Sequence, residues 1–214
     1  MMKTEQTEFW QGDFGAEYTD RNVFEPEALD ELYSSRYGVS RKQMTKDFLG
    51  ELQLGRVLEV GCNVGNQLRH LQSTGLNNLY GIELQQYAVE KSKELTRGIQ
   101  IIQGSAFDIP FKDRYFDLVY TFGVLIHISP SDIQRAMEEI YRSSGRYIYG
   151  FEYYSDSYHE ISYRGHKSKM WKANFCDLYL EKFSNLKVVR EQRFTYLENS
   201  NLVDQMFLLE KTSP

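Results

Sequence analysis

Two carboxylates and a pair of glycines outline the chemistry open to this chain. Glu59 stands two residues before Gly61, and the run Gly61-Cys62-Asn63-Val64-Gly65 is bounded by glycine at both ends. Glycine has no Cβ, so a backbone built this way approaches a ligand closely. Between a strand and a helix, the turn reads as a nucleotide- or nucleoside-binding loop. It has neither the G-x-G-x-x-G pattern nor the Gly-Lys-Ser/Thr ending of a phosphate-cradling loop. Glu59 argues against a diphosphate and for a cationic ligand. Glu83 follows Gly65 by 18 residues and closes a second apolar run. A carboxylate there can accept both hydroxyls of a ribose, and buried without such a partner it would be a cost. His127 offers an imidazole that titrates near neutrality. Glu152, Tyr163 and His166 complete the candidates for deprotonating or orienting an acceptor.

The elements that must position these groups alternate. Strands are expected at 56–60, 79–83, 99–102, 116–121 and 146–152, with helices at 65–74, 86–97 and 131–143. Strand alternating with helix implies a parallel sheet covered on both faces. Ser129-Pro130-Ser131-Asp132 is a helix start with proline just inside the cap. Residues 1–50 read as a largely helical lid or extension, in which Ser40 caps a helix from Arg41 to Leu52 with Met44, Phe48 and Leu49 on one face. Residues 51–214 read as the catalytic domain, the whole being one compact unit. After an insertion come a helix near 174–183 and strands near 186–195 and 203–210, joined by the turn residues Glu198-Asn199-Ser200-Asn201.

The chain has 214 residues, a formal charge of -5 and a pI near 5.5, which disfavours nonspecific nucleic-acid binding. Two cysteines, Cys62 and Cys176, are too few for a disulfide framework, and Cys62 sits inside the loop. No apolar run approaches a membrane span, and the first residues have no secretory core. A cytoplasmic protein acting on a small molecule, without nucleic acid, membrane or metal, is expected.

Glu59-Val60-Gly61-Cys62-Asn63-Val64-Gly65 resembles motif I of the class I S-adenosylmethionine-dependent methyltransferases, with Asn63 at the usual middle glycine. Asparagine tolerates unusual backbone angles better than most residues. Ser105-Ala106-Phe107 resembles the adenine-contacting loop, although most relatives carry Asp at the position of Ser105. Tyr115 to Thr121, with Phe122 and Gly123 after it, resembles motif IV. The resemblance implies a Rossmann-like α/β fold with a seven-stranded, mostly parallel sheet of order 3-2-1-4-5-7-6. It further implies that Glu59, Gly61, Cys62, Asn63, Gly65, Glu83, Leu84, Ser105, Ala106, Phe107 and Phe122 surround S-adenosylmethionine, with S-adenosylhomocysteine as product. His127 is a structural residue in many relatives, and Leu84 and Phe107 are as well suited to a core as to a ligand.

Acceptor recognition is expected where the shared core ends. The aromatic, glycine-containing stretch Phe9 to Asn22 looks like a lid and contributes Tyr18, Arg21 and Asn22. The stretch from Glu152 to Lys172 contributes Tyr153, Tyr154, Arg164 and Lys172. Between His159 and Lys172 four basic residues face one acid, which suits an anionic acceptor that Arg164 could grip bidentately. Phe9-Trp10-x-Gly12-Asp13-Phe14-Gly15-x-Glu17-Tyr18, with Glu152-Tyr153-Tyr154 and Tyr163-Arg164-Gly165-His166, resembles the pseudaminic acid biosynthesis-associated methylases. That implies a sugar or nucleotide-sugar acceptor in bacterial surface-glycan (nonulosonic acid-type) biosynthesis. Lys172-Ala173-Asn174-Phe175 departs from that group's Lys-Arg-Asp-Phe and loses two charges. Another small molecule, a macromolecule, or a non-catalytic scaffold remain alternatives.

Overall fold

Strand β1 (Val57–Val60) is buried along its whole length because helices cover both faces of the sheet around it. The computed structural model describes residues 2–212. β1 pairs in parallel with β2 (Leu79–Glu83) on one side and β4 (Phe116–Phe122) on the other. β3 (Gln100–Gln103) extends the sheet beyond β2, and β5 (Ser144–Tyr153) beyond β4. The antiparallel hairpin of β8 (Leu186–Thr195) and β9 (Val203–Lys211) closes it, giving the order β3-β2-β1-β4-β5-β9-β8. This is the expected order; the numbers differ only because the insertion holds two short strands, β6 (His159–Glu160) and β7 (Trp171–Lys172).

Alternation along the strands sends side chains to two cores. Leu58, Val60, Val119 and Ile148 pack on one face with α7 (Ile133–Ser143), whose Ile133, Ala136, Met137 and Ile140 form a single buried stripe. Val57, Leu79, Leu118, Tyr120 and Tyr149 pack on the other face. There they meet α3 (Pro26–Tyr37), α4 (Arg41–Leu49) and α5 (Asn66–Ser73), which follows the glycine turn. α6 (Gln86–Leu95) follows β2, and α8 (Phe175–Lys182) precedes the hairpin.

The first fifty residues therefore divide. Leu29, Tyr33, Tyr37, Met44, Phe48 and Leu49 make α3 and α4 part of the core. Only α1 (Glu5–Gln11) and α2 (Asp13–Arg21) lie outside those clusters, with α2 meeting α6. Ser40 caps α4 as expected, its Oγ accepting from the Gln43 N–H, but the helix stops at Leu49 rather than Leu52 because Gly50 takes the cap. α7 begins two residues later than expected: Ser129 Oγ donates to the Asp132 carboxylate and organises a turn first. Among the described residues no helix is long and apolar enough to cross a membrane.

Candidate active site

The turn after β1 runs through three left-handed residues, Gly61 (φ 73°), Asn63 (φ 48°) and Gly65 (φ 84°). A Cβ at Gly61 would also lie 2.7 Å from a methyl of Val124, so two constraints demand glycine there. The Gly61 and Cys62 N–H groups both donate to the Ile82 carbonyl, which pins the turn to the end of β2. Cys62 points inward and packs under Gly81, where any side chain would collide with its sulfur.

Glu83 ends β2 beside this turn. One carboxylate oxygen accepts from the Asn63 N–H and the other from the Gln85 N–H, both at 2.8 Å. Burial raises its pKa while these backbone donors oppose the rise. Each oxygen keeps a lone pair for a further donor, as two vicinal hydroxyls require. Glu59 is 2% exposed and accepts from the Tyr120 hydroxyl at 3.0 Å. Burial pushes it well above the usual carboxylate range, against the pull of Tyr120 and of the Arg41 charge.

Arg41 was not expected here, yet it is fully buried on the same side of the sheet. Its guanidinium lies 4.5 Å from the centre of the Phe122 ring, Nε donates to Gln67, Nη1 donates to Thr45, and Nη2 has no hydrogen-bond partner among the described residues. The signal was present in the sequence: Arg41 stands on the stripe that Met44, Thr45 and Phe48 continue at helical spacing. An orphaned buried donor of this kind asks for an anion. With a close-approach turn and a carboxylate for hydroxyls, it fits a nucleoside that also carries an amino-acid carboxylate.

The residues expected on the adenine side are largely turned inward. Phe107 lies in the core, 5% exposed, and Ser105 spends its hydroxyl accepting from the Phe107 N–H inside a tight turn. Ala106 is half-buried beside them, and Leu84 is partly exposed with its carbonyl accepting from Gln103.

The helices α1 and α2 sit on the cofactor turn through side-chain amides. Asn63 Nδ2 donates to Thr19 Oγ, and Asn66 Nδ2 to the Asn22 carbonyl. Gln85 Nε2 reaches the Trp10, Gln11 and Gly12 carbonyls at 2.9–3.3 Å. Phe9, Trp10, Phe14 and Tyr18 then close an aromatic box with Tyr163, His166 and His127, the Trp10 ring lying 4.6 Å from His127. Gly15 has no room for a side chain, since a Cβ would lie 1.8 Å from the Trp10 carbonyl. Lys169 ties this edge down through an ion pair with Glu5.

Within the box, His127 Nδ1 lies 2.8 Å from the Lys169 carbonyl and must carry the proton, leaving Nε2 as a lone pair. Burial pushes the imidazole down to about 4, so it is neutral at pH 7. Tyr163 stands 5.0 Å from His127 at the start of the two-residue turn Tyr163–His166, in which Arg164 (φ 50°) and Gly165 (φ 84°) are left-handed. Arg164 is exposed at its tip.

One expected acceptor contact is corrected. Glu152 is 1% exposed and faces inward: its oxygens accept from the Val124 and Ile126 N–H groups, clamping the segment that carries His127. Burial holds it up at about 7, and a group so engaged positions the loop rather than touching an acceptor. Arg21 is exposed and paired with Glu17 one turn away, and Asn22 donates to the Tyr18 carbonyl. Tyr154 donates to Asp156 under the Arg193 guanidinium. Tyr18, Tyr153, Tyr163 and Arg164 do gather, since the Tyr18 hydroxyl, pushed up first by burial, feels the other three.

Residues 58–146 match the family described as a methyltransferase domain. The chain is 32% identical over 102 residues to cycloartenol-C-24-methyltransferase 1 of Oryza sativa subsp. japonica, a stretch that is 42% of this chain and 29% of that protein. It is 24% identical over 160 residues to sterol 24-C-methyltransferase erg6 of Schizosaccharomyces pombe, 70% of this chain and 42% of the other. The chain thus spans less than half the length of these curated relatives. Among solved structures it resembles the Burkholderia thailandensis 1,6-didemethyltoxoflavin-N1-methyltransferase with bound S-adenosylhomocysteine. The TM-score is 0.71 at 14% identity, covering 100% of this chain and 93% of that one. Turn, sheet order and the match over residues 58–146 agree: the chain has the Rossmann-like fold of class I methyltransferases, and this stretch is similar to a methyltransferase domain.

Proposed function

We propose that this chain methylates a small, anionic, hydroxylated acceptor, a sugar acid or nucleotide sugar of the kind used in bacterial surface-glycan (nonulosonic acid-type) biosynthesis. The observation that carries the reading is the aromatic box, which sets the neutral His127 beside Tyr163 and the cationic Arg164 turn at the carboxyl ends of the strands. S-adenosylmethionine, when bound, supplies a methyl group already activated on a sulfonium. Glu83 would hold its ribose, the turn Gly61 to Gly65 its methionine backbone, and Arg41 its carboxylate.

The remaining work belongs to the side chains of the box. Trp10, Phe14 and Tyr18 exclude water and fix the acceptor's angle of approach, which is where most of the rate of a displacement resides. His127 Nε2 accepts the hydroxyl proton as the oxygen becomes nucleophilic, and the Lys169 carbonyl steadies the imidazolium that forms. Tyr163 and Tyr18 orient the acceptor, Arg164 attracts its charge, and Glu152 holds the His127 segment in place.

The test is transfer of isotopically labelled methyl from S-adenosylmethionine to a panel of acidic sugars, their nucleotide-linked forms, neutral sugars, RNA and protein. Label on an acidic or nucleotide sugar is expected. Label confined to RNA or protein would sink the small-molecule reading while keeping the reaction class. A second reading, an apolar acceptor, draws on the aromatic lining and on the sterol methyltransferase relatives; a sterol belongs in the panel for that reason.

A further inference from the structure

Beyond the aromatic box a separate cavity of about 150 Å³ opens at the same edge of the sheet, lined by Arg36, Tyr153, Lys172, Tyr196, Leu202 and Asp204. Its walls come from the last turn of α3, the end of β5, β7 and the tip of the β8–β9 hairpin. Two cations face it. The Arg36 guanidinium lies 5.3 Å from the centre of the Tyr196 ring and 5.9 Å from that of Tyr37, and the Lys172 ammonium lies 5.8 Å from that of Tyr153. Neither forms an ion pair among the described residues, whereas Arg69, Arg142 and Lys169 elsewhere all do.

Asp204 is the carboxylate in the wall, and its oxygen is taken by the Tyr37 and Tyr196 hydroxyls. Two cations against one engaged carboxylate leave the cavity a single positive charge in excess. Aromatic flanks hold both cations in place without neutralising them. Such a cavity recognises an oxyanion: the cations supply attraction and donors, and Tyr153 supplies a further hydroxyl.

Its position suits one end of an acceptor. Asp204 pairs with Tyr153 across β9 and β5, and β5 adjoins β4, whose end leads to His127. Two strand spacings put the cavity roughly 10 Å along the sheet from the end of β4. That span matches a sugar acid or sugar phosphate lying with its hydroxyl toward the box. We infer that Arg36 and Lys172 form the subsite for the acceptor's carboxylate or phosphate, setting which hydroxyl reaches the methyl group. The inference rests on the methyltransferase reading above.

The experiment is calorimetric titration of the protein saturated with S-adenosylhomocysteine, using N-acetylneuraminate, its uncharged methyl ester and glucose 1-phosphate. The expected result is that an anionic probe binds at least tenfold more tightly than the ester, and that Arg36→Gln and Lys172→Gln each erase most of that difference. Preference for the sugar acid would mark the oxyanion as a carboxylate; preference for glucose 1-phosphate would mark it as a phosphate. Equal binding of all three probes, no binding of either anion, or a preference that survives both substitutions overturns the subsite. Binding of S-adenosylhomocysteine itself, measured first in each variant, reports the folded cofactor site. Its absence in the wild type would instead defeat the methyltransferase reading.

Discussion

The two halves of the sheet hold their ligand-facing groups by different means. From β1 to β4 the main chain does it: three left-handed residues shape the turn, and Glu83 is fixed by two backbone N–H groups. From β5 to β9 side chains do it, brought from α3, the insertion and the hairpin, and held by ring contacts and tyrosine hydroxyls. A backbone-built site tolerates little change and suits a ligand that never varies. A side-chain-built site can be respecified without disturbing the fold, which is what an acceptor pocket needs.

That contrast can be broken at several points. The largest effect is expected from Glu83→Ala, which removes two charge-assisted hydrogen bonds to a ribose. If Glu83 holds the ribose as proposed, at about 1.5–3 kcal/mol for each bond the affinity for S-adenosylhomocysteine should fall close to a thousandfold with the fold kept. Unchanged affinity by calorimetry would mean the backbone-built half does not hold the cofactor as described. His127→Gln should lower kcat about 100-fold, the scale of a positioned general base, and leave the KM for S-adenosylmethionine alone. A full-rate variant would reduce His127 to packing.

A smaller loss is expected from Gly15→Ala, since the added methyl displaces the Trp10 backbone and misplaces the box. About tenfold in kcat/KM for the acceptor is a fair scale for a shift of that size. If turnover is normal, α1 and α2 are not part of the site. The least effect concerns pH. Burial pushes His70 down to about 3, so between pH 6.5 and that value the unfolded chain binds a proton that the folded chain refuses. Stability from His70 is therefore complete above pH 6.5 and is lost as pH falls, at up to about 1.4 kcal/mol per unit. Urea titrations of His70→Gln between pH 6 and 4 should give a shallower slope than the wild type. Parallel slopes would show that His70 is not held neutral.

The same division governs what could be read from the sequence. Gly61, Asn63, Gly65 and Glu83 are legible because they lie within short local motifs; the alternation of strands and helices gives a parallel sheet, and its order is what the resemblance to class I methyltransferases implies. Glu152 was misread as facing the acceptor because its role depends on N–H groups 26 and 28 residues away. Phe107 is open to two readings, since a turn that buries its own side chains has the same residue types as one that offers them. Nothing local in the sequence marks Arg36 or Asp204: they are separated by most of the chain and meet only where α3 packs on the hairpin. Arg41 lay between these cases, visible on its helical stripe but overlooked as a charge at a helix start.

The Gln85 amide that meets the end of α1 contributes little to how firmly that end is held. Its three carbonyl partners belong to the last turn of a short helix, groups that water satisfies nearly as well. Exchanging these bonds for solvent changes the free energy little, about 1 kcal/mol each at most. The bias toward the packed arrangement therefore comes from ring burial, where Phe9, Trp10 and Phe14 pack against Tyr163, His127 and His166. Such a bias is entropic near room temperature and fades on cooling. The hold of α1 and α2 on the rest of the protein is consequently weakest in the cold.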